Sequence, residues 1–182
     1  MNNAVSGRRG RLTLAAVAVA AAAGVAAAVI PAHAATSHDG NGSGTTVLAA
    51  ALRGAAEVPV EGGPAVGDKD GAALELLRVR GDEVSVAVIW RRTGRPVKLH
   101  IHEGAEGTNG DVKIDFTHLL DGAEGHTFTG TVTVEDPALL RRLTTDPGSF
   151  YTNLHTAEFP GGAVRGQLHT VTAAGSAPGA GG

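Results

Sequence analysis

The 182-residue chain has no cysteine. No disulfide can staple it, and no thiolate can act as nucleophile or metal ligand, so its stability rests on its core. Aromatic residues make up only 3 % of the chain, with one Trp, one Tyr and four Phe. That is too few for the stacking platforms that hold single-stranded nucleic acid, and it argues against a sugar-stacking surface. Gly-x-Ser-x-Gly is absent, and no phosphate-cradling glycine loop precedes a helix. His118 and Asp115 are close enough to pair, but nothing positions a nucleophile, and a hydrolase has little support. Positive charge is scarce as well: 15 Lys and Arg stand against 18 Asp and Glu. A mildly acidic chain is not built to grip nucleic acid by its phosphates.

The N-terminal 34 residues read as a secretory signal peptide. Arg8, Arg9 and Arg11 supply the basic start, residues 12–30 carry no charge, and Ala32-His33-Ala34 fits a small-x-small cleavage site. An uncleaved membrane anchor is the rival reading, weakened by an alanine content that makes the stretch only mildly hydrophobic. Arg8-Arg9 matches a twin-arginine export signal in part. Cleavage after Ala34 leaves 182 − 34 = 148 residues, with 15 − 3 = 12 basic against 18 acidic residues and a net charge of −6. The expected location is therefore outside the cell or in its envelope. The only expected membrane contact is through an uncleaved signal segment.

Residues 35–44 read as a flexible tether and 171–182 as a disordered tail of small residues. The domain lies between, at 45–170, as short strands broken by glycine and proline. Strands are predicted at 47–52, 72–80, 83–90, 97–102, 112–116, 127–134, 150–155 and 163–169, with Gly81-Asp82 as a hairpin turn. Asp136-Pro137 is an N-cap followed by a first-turn proline, which predicts one short helix to Leu143. Eight strands at this spacing predict an all-β fold, an antiparallel β-sandwich or barrel.

Candidate site residues follow from the two-residue period of a strand. His100 and His102 share a face opposite Leu99 and Ile101, and Asn153 and His155 share a face opposite Leu154. Were the two strands neighbours, three imidazoles would meet on one surface. That is a donor set suited to copper or zinc. The alternative is an ordinary polar strand face tied together by hydrogen bonds. Arg165 shares a face with Gln167; it either attracts anions beside the histidines or fastens a loop by pairing with Glu57, Glu103 or Glu158. Asn153 and Glu103 are candidates to support the histidines. Glu57, Glu103, Asp111 and Asp115 also suit calcium by chemistry, but no Asp-x-Asp-x-Asp-Gly loop is present.

Three blocks resemble the CHRD domain, a module found singly in many bacterial exported proteins. They are residues 54–59 with 68–73, the run His100-Ile101-His102-Glu103-Gly104-Ala105-Glu106-Gly107-Thr108-Asn109-Gly110, and the run from Tyr151 to Leu168. The resemblance implies an immunoglobulin-like or barrel-like all-β domain and brings no established activity. It implies a non-catalytic binding or scaffold module whose partner is an unnamed protein, metal ion or envelope ligand. A fainter likeness is to the sites of copper-zinc superoxide dismutases, which would make His100, His102 and His155 copper ligands and Arg165 an anion guide. The bridging-histidine and zinc-ligand run has no counterpart, since His118 and His126 lack the spacing, so this likeness implies at most a partial copper site.

Overall fold

The computed structural model describes residues 44–171. The signal segment, the tether up to residue 43 and the tail from residue 172 fall outside them. Nine strands follow in order: β1 (Thr45–Arg53), β2 (Ala72–Arg80), β3 (Glu83–Arg91), β4 (Pro96–Glu103), β5 (Val112–Asp115), β6 (Thr127–Thr133), β7 (Phe150–Thr156), β8 (Val164–Gln167) and β9 (His169–Thr170). The single α-helix among the described residues, α1 (Pro137–Thr145), lies between β6 and β7. The expected all-β antiparallel fold is what forms, curled around an apolar interior.

One sheet contains all nine strands, in the order β5-β4-β7-β8-β1-β2-β3-β6, with β9 paired to β1. Every pairing between these strands is antiparallel. Gly81 turns the β2–β3 hairpin at φ 60°, where a residue without Cβ is unstrained. The strand expected at 163–169 is divided, because Leu168 leaves the β8 ladder and His169 pairs with β1 instead. Alternation drives the fold: Leu48, Leu77, Val84, Val86, Trp90, Leu99, Ile101 and Leu154 all point inward and are at most 3 % exposed. Each such large apolar side chain contributes about 1.5–3 kcal/mol on burial.

Helix α1 starts where the sequence predicts. The Asp136 carboxylate accepts from the amides of Ala138 and Leu139 at 2.9 and 3.0 Å, and the helix buries Leu139, Leu140 and Leu143 in the same core. A 3-10 helix at Thr117–Gly122, which the sequence pattern does not announce, adds Leu120 to that core.

Strand β7 differs from the rest in being buried along its whole length. Its inward side chains, Phe150, Thr152 and Leu154, join the interior. Its outward side chains, Tyr151, Asn153 and His155, are covered as well, and this second covering makes the site.

Candidate metal centre

Strands β4 and β7 are direct neighbours, so the two histidine-bearing segments meet. Their register sets Lys98 opposite His155, His100 opposite Asn153 and His102 opposite Tyr151. Because Leu99 and Ile101 take the inward positions, His100 and His102 are forced outward, onto the face that β7 gives to Asn153 and His155. The ring centroids of His100 and His155 are 5.0 Å apart, and those of His100 and His102 are 5.5 Å apart. One ligand nitrogen from each of the three rings lies within 4.8 Å of the others.

Hydrogen bonds leave a free nitrogen on two of the three rings. His155 Nδ1 is 3.0 Å from the Pro160 carbonyl oxygen and must donate to it, which leaves the lone pair on Nε2; that atom is buried without a partner. His102 has an oxygen acceptor at each nitrogen, the Gly110 carbonyl 2.9 Å from Nδ1 and Asn153 Oδ1 3.1 Å from Nε2, and the neutral ring donates to one of them. His100 uses the other edge: Nε2 faces Thr117 Oγ1 at 3.3 Å and Asp115 Oδ1 at 3.5 Å, and Nδ1 is buried and unpartnered. His100 and His155 are each anchored through one nitrogen with the other nitrogen free, which is how imidazoles are oriented toward metals.

The electrostatics match. Burial is the main reason that all three imidazoles are harder to protonate than usual, and His100, with His155 beside it, falls to about 4. Neutral rings are the form that ligates. In a trigonal or tetrahedral site with bonds of about 2.0–2.1 Å, ligand nitrogens stand about 3.3–3.6 Å apart. The donor set is three nitrogens with no thiolate and no carboxylate, which fits copper or zinc and is poorly matched to calcium or magnesium.

The loop at 104–110 folds over this face, and Arg165 fastens it. The guanidinium is 2 % exposed and donates to the carbonyls of Ala105 (3.2 Å) and Thr108 (2.7 Å) and to Asn109 Oδ1 (3.3 Å). Its central carbon lies 3.3 Å from the Tyr151 ring centroid, and His102 stacks parallel to the same ring at 4.7 Å. Through these three oxygens Arg165 fastens the loop. Gly110 lets the loop close, since a Cβ there would overlap the Glu103 carbonyl.

Asn153 stands among the histidines, between His102 and Glu57. Burial pushes the Glu57 carboxyl up to about 7, against the opposing pull of Arg165 and the bond from Asn153. Gly162, at φ +135°, leaves room for that carboxyl; a Cβ would lie 2.5 Å from its Oε1. Glu103 is not brought to the histidines. As an odd-numbered residue of β4 it turns the other way, and Arg142 of α1 holds it in a two-pronged pair at 3.0 and 3.2 Å. Asp111 and Asp115 do not join Glu57 either. Tyr151 escaped sequence reasoning, although the same alternation that selects Asn153 and His155 selects it. The anchors at Gly110 and Pro160 are loop carbonyls, and no residue type announces them.

Residues 48–168 match the CHRD domain family. No curated protein and no solved structure matches the chain. The match spans well over half of the 182 residues and includes every strand of the site, so the chain belongs to the CHRD domain family.

Proposed function

We propose that this CHRD domain is an exported binding module whose ligand is a copper or zinc ion, held by His100 Nδ1, His155 Nε2 and the His102 ring. The observation that carries the reading is the pair of buried, unpartnered nitrogens on His100 and His155 beside a third ring oriented by Gly110. Buried polar atoms without partners are rare in folded proteins and call for an explanation. A shared cation supplies one. Three protein ligands leave a coordination position for water or a small anion. No neighbouring group is placed as a nucleophile, so the reading is of binding rather than turnover. The basic start, the uncharged stretch and the small-x-small site at its end support export.

The test is a thermal-unfolding series on protein purified without a histidine tag. Added Zn(II) or Cu(II) is expected to raise the melting temperature, with a stabilisation of about 4 kcal/mol at a free metal concentration 1,000 times Kd. His100→Ala and His155→Ala each remove the effect; His126→Ala, which lies outside the cluster, keeps it. An unmoved melting temperature, or a shift that survives both substitutions, removes the metal and leaves a CHRD module with some other ligand.

A further inference from the structure

A second site lies at the end of the β1–β2–β3 ladder, on the row that runs from His100 through Asn153 and Arg165 to Arg53. In register across these strands stand Arg53, Ala72 and Arg91. With strands about 4.8 Å apart, the two arginines begin roughly 10 Å from each other and flank an alanine too small to fill the space. The result is a notch of about 270 Å³, with Lys69 and Arg92 on its walls and Asp70 as the one carboxylate. Four cations against one acid leave 4 − 1 = +3 at this spot, on a chain whose net charge is −3. Among the described residues, no carboxylate comes within 4.0 Å of any of the four cations.

Two local devices hold the charges there. Asp68 Oδ1 accepts from the amides of Asp70 and Gly71, both at 3.1 Å, and so fixes the turn that carries Lys69. Arg92 has φ 55°, the one non-glycine residue with positive φ among the described residues. Glycine would be unstrained at that position, whereas a side chain is held there only by its surroundings. The chain nevertheless places a guanidinium at this point, next to Arg91.

We propose that the notch binds a phosphate-bearing ligand through Arg53, Lys69, Arg91 and Arg92. Guanidinium forks match the paired oxygens of a phosphoryl group, and a single carboxylate would leave most of the charge unanswered. The volume lies just below the range of ligand pockets, about 300–1,000 Å³, which suits one or two phosphoryl groups. The source is either a free phosphate compound or a lipid headgroup.

Inorganic pyrophosphate and orthophosphate, titrated calorimetrically into the full chain at low salt, test the free source; cosedimentation with phosphatidic acid vesicles tests the lipid source. Saturable one-to-one binding that weakens with added salt, and weakens at least tenfold in the double variant Arg53→Gln, Arg91→Gln, is the expected result. Arg92→Gly removes a charge while relieving the backbone, so it weakens binding with no loss of melting temperature. Vesicle binding without pyrophosphate binding, again lost in the double variant, assigns the phosphate to a headgroup. Pyrophosphate also chelates metals, so the titration is repeated in His100→Ala, His155→Ala. Unchanged affinity there separates this site from the histidines, and loss of affinity there overturns it. The proposal also fails if wild type binds neither probe, or if the double variant binds as wild type does.

Discussion

Thr152 and Asn153 are neighbours on β7, yet their side chains enter two different buried assemblies. Asn153 faces outward into the histidines, a polar assembly in which His100 Nδ1, His155 Nε2 and Glu57 Oε1 lack partners. Thr152 faces inward and donates at 2.9 Å to Glu75 Oε2, whose carboxyl is 0 % exposed. Glu75 sits opposite Ala50 and Val88 on the flanking strands, in an interior that is otherwise apolar, and its Oε1 has no partner. Burial keeps both assemblies neutral, but with opposite effects on acidity. It raises the Glu75 carboxyl to about 8, only partly offset by Thr152, and lowers the imidazoles, His100 to about 4.

The two faces therefore titrate with opposite sign. Between pH 4.5 and about 8 the folded state holds a proton on Glu75 that the unfolded chain releases, so this contribution falls as pH rises and is gone above about 8. For His100 the unfolded chain takes up the proton first, so stability falls as pH drops from 6.5 through about 4. Glu75→Gln isolates the inner face. Urea unfolding at pH 5 and pH 9 should show wild type losing on the order of 4 kcal/mol more than the variant across that interval. The low-pH loss from the histidines should remain in both, together with a smaller fall from Glu57 as pH rises from 4.5 to about 7. Parallel pH curves for the two proteins would mean that Glu75 is already ionised in the fold.

A smaller effect is expected from Thr152→Val, which keeps the shape and removes the hydroxyl. Losing a hydrogen bond to a buried group costs about 1–2 kcal/mol. The loss should be larger at pH 9 than at pH 5, because the Thr152 bond favours the ionised carboxyl. An equal loss at both pH values would show that Thr152 acts on packing alone.

The outer assembly was largely legible in the sequence and the inner one was not. His100, His102, Asn153 and His155 lie two residues apart within their strands, and alternation alone puts each pair on one face. The adjacency of β4 and β7 is a matter of long-range pairing, and no local pattern encodes it. Glu75 shows where alternation misleads: flanked by Leu74 and Leu76, it reads as the solvent face of an amphipathic strand. The opposite holds, because Ala73, Leu77 and Val79 take the interior and carry Glu75 in with them, leaving Leu74 outside at 42 % exposed. Arg165 was legible as a loop fastener, although its partners are the carbonyls of Ala105 and Thr108 and the Asn109 side chain rather than the carboxylates expected. Similarly, Trp90 and Ile89 were interchangeable from sequence, and the inward row of β3 buries Trp90.

The smallest expected effect comes from the uncovered outer face of β2, where Leu74 stands opposite Ile89, itself 37 % exposed. Leu77, on the other face of the same strand, is 0 % exposed, and Leu77→Ala should cost about 2–5 kcal/mol through lost burial and the cavity left behind. Leu74→Ala should stay within about 0.5 kcal/mol, since water already reaches the side chain and no cavity opens. The pair of variants measures how far the covering of β7 extends across the sheet. A Leu74→Ala cost above 1 kcal/mol would mean that this face is covered in solution, and the melting temperature would then depend on protein concentration, as it does when a second copy binds the folded state. A concentration-independent melting temperature with a near-zero cost keeps the covered outer face confined to the β4–β7–β8 half, where the histidines are.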